Sequence, residues 1–175
     1  MFTPFIRIIL IVSCFGMAIL FYSKDDFENM AMTLVAAGLF AYGYFRYGTV
    51  YAAFRHLKKN NLKKAEKLIS TIKNPNRLTK GHKSYYHFTK GIIASEKKEW
   101  DSSYTELTKA LEIGLRTKND TSIVLLNLVE IEFERKKLNE AEDYLDKLKA
   151  FELKPLVKEE ADKLIEKINV ARQNL

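Results

Sequence analysis

The stretch EWDSSYTEL, residues 99–107, carries the pattern that decides the fold. Its small residue, Ser103, has Trp100 three positions before it and Leu107 four positions after it. Residues spaced three and four apart share one face of an α-helix. A small residue in the middle of that face lets a neighbouring helix approach closely. The pattern therefore predicts a helix that packs tightly against another helix.

Two further stretches of the chain repeat this pattern at equal intervals of 38 residues. They are NLKKAEKLI, residues 61–69, and KLNEAEDYL, residues 137–145, with Ala65 and Ala141 in the place of Ser103. An amphipathic segment precedes each copy. A short polar turn joins the two segments each time, at residues 60–61, 98–99 and 136–137. The predicted unit is thus helix, turn, helix, repeated three times.

These units resemble the tetratricopeptide repeat. The middle unit matches best, because its Gly91 falls at the glycine of the family's first helix, and further matches lie at Trp100, Ser103, Leu107 and Ala110. The first and third units have Ala53 and Val129 at the glycine position. The interval of 38 also exceeds the family's usual 34 residues, which implies longer loops. A generic array of helical hairpins is the alternative.

The resemblance implies an all-α fold with an α-solenoid of about three repeat-like helix pairs. We expect the repeats to occupy residues 49–155, in three parts at residues 49–74, 83–115 and 121–153. Residues 156–175 carry an apolar stripe with charges opposite, which predicts a C-terminal capping helix. Repeats of this family bind peptides or protein surfaces in a concave groove lined by their first helices. The groove positions implied here are Tyr51, Phe54, Lys58, Tyr85, Phe88, Thr89, Ile92, Glu96, Asn127, Glu130 and Glu134.

The N-terminal part of the chain is mainly apolar, with runs at residues 5–22 and 30–47. Each run is about 27 Å long as a helix, close to the ~30 Å hydrocarbon core of a bilayer. A short acidic link joins them, so residues 1–48 predict a transmembrane helical hairpin with helices at about 5–22 and 29–47. Small residues that permit close helix packing in a membrane are Ala37, Gly38, Ala41 and Gly43.

Positive charge is concentrated next to this apolar part. Residues 51–90 contain eleven lysines and arginines against one acid, Glu66. The positive-inside rule then places both termini in the cytoplasm. The sequence predicts a multi-pass integral protein, such as one of a bacterial inner membrane, with residues 51–90 facing the anionic leaflet.

Two other interpretations of the apolar part stay open. Residues 11–14, IVSC, resemble the cleavage site of a lipoprotein, although the chain stays apolar after Cys14. Both runs could also be core helices of a water-soluble protein, although little chain remains to cover them.

No catalytic or metal-binding pattern is found in the sequence. His56, His82 and His87 lack ligand partners at metal spacings, and phosphate, dinucleotide and nucleophile motifs are missing. The cluster Glu130, Glu132 and Glu134 is interpreted as a solvated helix face. We expect no cofactor and no enzyme activity, with an enzyme that borrows cofactors as an alternative.

Nucleic acid is not the expected partner, although Tyr85, Tyr86 and Phe88 lie among basic residues and aromatic rings can stack on bases. The expected function is a membrane-anchored scaffold or adaptor that binds a protein at the cytoplasmic face. The alternative is an accessory or assembly subunit that contacts a larger membrane complex mainly through its hairpin.

Overall fold

The computed structural model describes residues 4–47 and 49–173. This part of the chain contains α-helices, one short 3-10 turn at Pro75–Arg77, and no β-strand. The prediction of an all-α fold is confirmed. In chain order the helices are α1 Pro4–Tyr22, α2 Phe27–Tyr47, α3 Val50–Lys58, α4 Leu62–Ser70, α5 Lys80–Glu96, α6 Trp100–Ile113, α7 Lys118–Glu134, α8 Leu138–Lys149 and α9 Pro155–Gln173.

The chain forms two compact units, Met1–His82 and Lys83–Leu175. The division falls in the first turn of α5. The first unit therefore contains the hairpin of α1 and α2 together with the α3–α4 pair. The second unit contains α6 to α9 and most of α5.

The α1–α2 hairpin is closed by a tight turn. Asp25 adopts a left-handed conformation, with φ of 56°. A carboxylate oxygen of Asp26 accepts a hydrogen bond from the Asn29 backbone N–H at 3.2 Å, which caps the start of α2. Of the hairpin side chains that the structure describes, only Ala18 and Ala37 are buried. The two helices therefore touch through small residues and expose most of their apolar side chains.

The prediction of a transmembrane hairpin, and with it of an integral membrane protein with cytoplasmic termini, is wrong. Within the described residues, no helix combines the length and the apolar character that crossing a membrane requires. In α2 the reason is visible in the sequence. Glu28 and Asn29 lie in its first turn, and its glycines and tyrosines, which the apolar run included, gain little on transfer into hydrocarbon.

The α3–α4 pair is held by buried apolar residues and by one hydroxyl. Val50 and Ala53 of α3 and Ala65 of α4 are completely buried. The Thr49 hydroxyl donates to the Leu68 carbonyl at 2.6 Å and lies 3.0 Å from the Thr71 hydroxyl. This contact ties the start of α3 to the end of α4.

The core of the second unit is built around α7. Val124, Leu128, Val129 and Ile131 have no exposed surface. Residues from α8 and α9 complete the core next to α7, namely Ala141, Leu145, Leu148, Ala161, Leu164 and Ile168. Because α7 has neighbours on several sides, its buried residues do not form a single stripe.

A close contact between α5 and α6 explains the glycine in the repeat pattern. A Cβ placed on Gly91 would lie 2.5 Å from Cδ2 and 2.6 Å from Cγ of Leu107. The Ser103 hydroxyl donates to the Gly91 carbonyl at 2.8 Å. Small residues on both helices therefore let α5 and α6 pack with almost no gap.

The three predicted turns have the same backbone conformation. Asn60, Lys98 and Lys136 all have positive φ, at 55°, 59° and 60°. The next residue in each case donates its N–H to the carbonyl five positions back, at 2.8–2.9 Å. This hydrogen bond and the left-handed residue are typical of a Schellman helix end. The repeat of 38 residues seen in the sequence is thus also a repeat of structure.

Candidate protein-binding surface

The predicted groove residues of α3 lie in the first unit. Tyr51 is 45% exposed, whereas Phe54 is buried. The Lys58 ammonium lies 4.6 Å from the centre of the Phe54 ring, within the range of a cation–π contact. Tyr51 and Lys58 are therefore on the surface, and Phe54 packs inside.

The aromatic groove residues of α5 are part of the core. Tyr85, Phe88 and Thr89 are at most 8% exposed. The Tyr85 hydroxyl donates to a carboxylate oxygen of Asp120 at 2.6 Å. Burial and this carboxylate raise the pKa of Tyr85 to about 12. These three side chains stabilise the second unit and offer almost no area to a partner.

The remaining five groove residues, on α5 and α7, reach the surface. Glu96, Glu130 and Glu134 are exposed, and Ile92 and Asn127 are half-buried. The Asn127 side-chain amide donates to the Ile123 carbonyl at 2.8 Å. We call these five residues the acidic face of the second unit.

Glu130 lies at the centre of the negative charge on this face. Partial burial raises its pKa, and Lys167 acts in the opposite direction. The neighbouring carboxylates of Glu134, Glu160 and Glu96 raise it further. Carboxylates this close repel one another, so the face favours the approach of positive charge.

A buried ionic cluster joins α5 to α6. Glu106 is 8% exposed, and its two carboxylate oxygens contact His87 Nδ1 at 2.7 Å and Lys90 Nζ at 3.0 Å. Burial raises the pKa of Glu106, but the hydrogen bonds to His87 and Lys90 outweigh this and bring it down to about 2. Sequence analysis missed this cluster, because Glu106 lies sixteen positions or more from its partners and on a different helix.

A second buried carboxylate belongs to Glu132 on α7. Its side chain is 2% exposed, and one oxygen accepts a hydrogen bond from Arg135 at 2.9 Å. The other oxygen has no partner among the described residues. The interpretation of Glu130, Glu132 and Glu134 as a solvated face is therefore wrong for Glu132, which points the opposite way into the helix bundle.

Arg135 links Glu132 to the α6–α8 contact. Its guanidinium lies 4.9 Å from the centre of the Tyr104 ring and 3.1 Å from a carboxylate oxygen of Asp101. The Tyr144 hydroxyl lies 3.3 Å from that of Tyr104. Burial, followed by this hydrogen bond, raises the pKa of Tyr144. The network fixes how α6, α7 and α8 pack together.

The small residues predicted for hairpin packing lie in different environments. Ala37 is 2% exposed and packs inside the hairpin. A Cβ placed on Gly38 would meet nothing within 4 Å. Ala41 and Gly43 are half-buried. Gly38 therefore lies on an open surface of the hairpin.

The basic residues of the first unit are on the surface. Lys67, Lys73 and Arg77 are exposed, near the point where α4 returns to the start of α3. Lys73 and Arg77 help to line a cavity of about 220 Å³, together with Tyr44 of α2 and Thr49. The end of α2 is thus next to positive charge. The predicted contact of residues 51–90 with anionic lipid stays a prediction.

Metal binding finds no support in side-chain geometry. Over residues 4–47 and 49–173, no three His, Cys, Asp or Glu side chains come together as a metal site requires. His82 Nδ1 lies 2.7 Å from the Thr79 hydroxyl, and His87 belongs to the Glu106 cluster.

Comparison with known proteins gives no match, since no protein family, no characterised sequence and no solved structure is significantly similar to the chain. The resemblance to the tetratricopeptide repeat therefore stays a prediction based on this chain's own residues.

Proposed function

We propose that this protein is an adaptor that binds a protein partner on the acidic face of its second unit. The observation that carries the proposal is the exposed group of carboxylates Glu96, Glu130 and Glu134 on α5 and α7. Burial first, and then these neighbouring charges, raise the pKa of Glu130. Half-buried Ile92 and Asn127 lie among them and offer apolar and amide contacts. Such a mixture suits recognition of a peptide segment. The role requires no catalytic group.

The partner segment in this proposal is rich in lysine and arginine. A cation placed among Glu96, Glu130 and Glu134 would relieve repulsion that the free protein carries. Electrostatic complementarity of this kind mainly speeds association and selects partners. Binding should therefore weaken as salt is added.

The proposed architecture behind this face is a short α-solenoid of tetratricopeptide-like pairs, closed by α9. Its support is the common turn at Asn60, Lys98 and Lys136 and the tight contact at Gly91. Val157, Ala161, Leu164 and Ile168 of α9 face the core, and the opposite side of that helix is charged. A helix with one polar side is what the end of a repeat array needs.

The test is affinity purification of the tagged full chain, followed by mass spectrometry. The variant Glu96→Lys/Glu130→Lys/Glu134→Lys reverses the charge of the acidic face. A matched control, Glu112→Lys/Glu140→Lys/Asp143→Lys, changes the net charge equally at exposed positions of α6 and α8. We expect the partner to be lost from the first variant and kept by the control. Retention by both variants would exclude the acidic face as the binding site.

A second candidate function is that of an assembly subunit whose α1–α2 hairpin makes the main protein contact. The observation in its favour is the exposure of large apolar side chains there, such as Met32 at 70% and Leu39 at 67%. Apolar patches of this size mark interaction surfaces. Co-purification that survives charge reversal of the acidic face but fails with Gly38→Leu would favour this candidate.

A further inference from the structure

The exposed apolar surface of the α1–α2 hairpin leads to an inference that is independent of the acidic face. We propose that the hairpin is a self-association surface, which pairs with the hairpin of a second copy of this chain. The two hairpins lie antiparallel, so that the turn of each meets the open end of the other. The pair is a twofold dimer in which both copies use the same surface.

The size of the surface fits a dimer interface. Fifteen large apolar side chains of α1 and α2 are each at least 39% exposed. At roughly 100 Å² each they present on the order of 1,500 Å² of apolar surface around the hairpin, of which one face holds about half. A stable interface takes about 800 Å² from each partner, whereas the largest apolar patch on a monomer is usually about 300–600 Å².

The charges at the two ends of the hairpin favour a second copy of this chain as the binding partner and an antiparallel direction for the pair. The turn region contains Asp25, Asp26 and Glu28 against Lys24 alone. The open end of the hairpin adjoins the exposed cations Lys73 and Arg77, which line one cavity with Tyr44 of α2. Exposed Lys67 directly precedes Leu68, whose carbonyl accepts the Thr49 hydroxyl. A 21-residue helix separates the two ends by about 30 Å. Each chain thus has an acidic turn and a basic open end. Only an antiparallel pair brings the acidic turn of one copy next to the basic open end of the other.

The middle of the hairpin has room for close approach. The proposed twofold axis crosses α2 near its midpoint, where Gly38 lies. A Cβ placed on Gly38 would meet nothing within 4 Å. This position therefore lets a second hairpin pack closely at the axis, and a side chain as large as leucine there would hold the two copies apart.

The main test is a charge exchange followed by sedimentation velocity of the full chain. Variant A, Asp25→Lys/Glu28→Lys, makes the turn positive. Variant B, Lys67→Glu/Lys73→Glu, makes the open end negative. Like charges meet in each homodimer, so we expect the dimer dissociation constant of A alone and of B alone to rise by about tenfold or more. An equimolar mixture places opposite charges at both ends and should recover wild-type affinity.

A cross-linking experiment tests the direction of the pair. In a Cys14→Ser background, Ser23→Cys places a thiol at the turn and Lys73→Cys places one at the open end. With a short bis-maleimide, we expect a cross-link between the two variants in a mixture. We expect no cross-link in a sample that contains Ser23→Cys alone. Linking of Ser23→Cys to itself would indicate a parallel pair and contradict the proposal.

Other results also overturn the proposal. The wild-type chain should sediment as a species of twice 20.3 kDa over a range of concentrations, and Gly38→Leu should weaken that species. A monomer at every concentration, or open-ended aggregates that ignore the charge exchange, would show that the hairpin does not pair with itself. Dissociation of the dimer by another protein that occupies the hairpin would favour the second candidate function instead.

Discussion

The α1–α2 hairpin and the α7–α8 hairpin are built alike and buried differently. Both are closed by a left-handed residue, Asp25 or Lys136. Both have a hydrogen bond that spans five positions, from Asp26 N–H to the Phe21 carbonyl at 3.0 Å and from Lys137 N–H to the Glu132 carbonyl at 2.8 Å.

The difference between the two hairpins lies in their neighbours. In the second unit α7 also packs against α6 and α9, and residues such as Leu128 and Ile131 lose all contact with solvent. In the first hairpin Val35 and Leu39 stay 64% and 67% exposed. The comparison teaches that apolar composition and turn geometry are enough to form a hairpin, but a core requires a third and a fourth helix.

The largest expected effect comes from the glycine in the tight helix pair. Gly91→Ala places a methyl group against Leu107 Cγ, and the Leu107 backbone N, at 3.2 Å from that methyl group, leaves little room to adjust. We expect a loss of about 3 kcal/mol in the free energy of unfolding of the second unit. Fluorescence of Trp100, the one tryptophan of the chain, reports this unfolding in urea.

Gly38→Ala is the matched control in the open hairpin. Its added methyl group meets nothing within 4 Å, and alanine favours a helix over glycine by about 1 kcal/mol. Hydrogen exchange should therefore rise in α5 and α6 of Gly91→Ala and should not rise in α1 and α2 of Gly38→Ala. Equal effects in both would mean that the two hairpins do not differ in packing.

The buried ionic cluster gives the next largest effect. Since the pKa of Glu106 is lowered to about 2 in the folded protein, its ionised form stabilises the fold above the ordinary pKa of about 4.3. The full shift corresponds to about 3 kcal/mol at neutral pH, and solvent screening of the partly exposed Lys90 reduces it to about 2 kcal/mol. This contribution is lost as the pH falls from about 5 to 2. Glu106→Gln should remove it at pH 7, and the difference from wild type should shrink in acid. Glu112→Gln, at an exposed position of the same helix, should change stability by less than about 0.5 kcal/mol.

The smallest expected effect concerns the repeated turn. Lys98 has φ of 59°, a conformation that glycine adopts at no steric cost. Lys98→Gly should therefore raise the stability of the second unit by about 0.5–1 kcal/mol. Lys109→Gly, in the interior of α6, should lower it by about 1 kcal/mol. A loss of stability in Lys98→Gly would contradict the turn geometry on which the repeat rests.

Helix pairs, turns and the role of Gly91 were predictable, because each depends on residues close in sequence. The burial of Tyr85 and Phe88 was harder to predict from the sequence. Their chemistry suits a groove, but burial depends on helices far along the chain. The Glu106 cluster and the burial of Glu132 were missed for the same reason. The second apolar run was misinterpreted as membrane-spanning because its glycines and tyrosines were counted as apolar.

The equal spacing of Asn60, Lys98 and Lys136 suggests how such a chain is lengthened. Residues 99–136 run from one left-handed turn to the next. Duplication of that block would add one pair of helices, and the existing left-handed turn would join that pair to the next. The number of such blocks would then set the number of helix pairs in the chain.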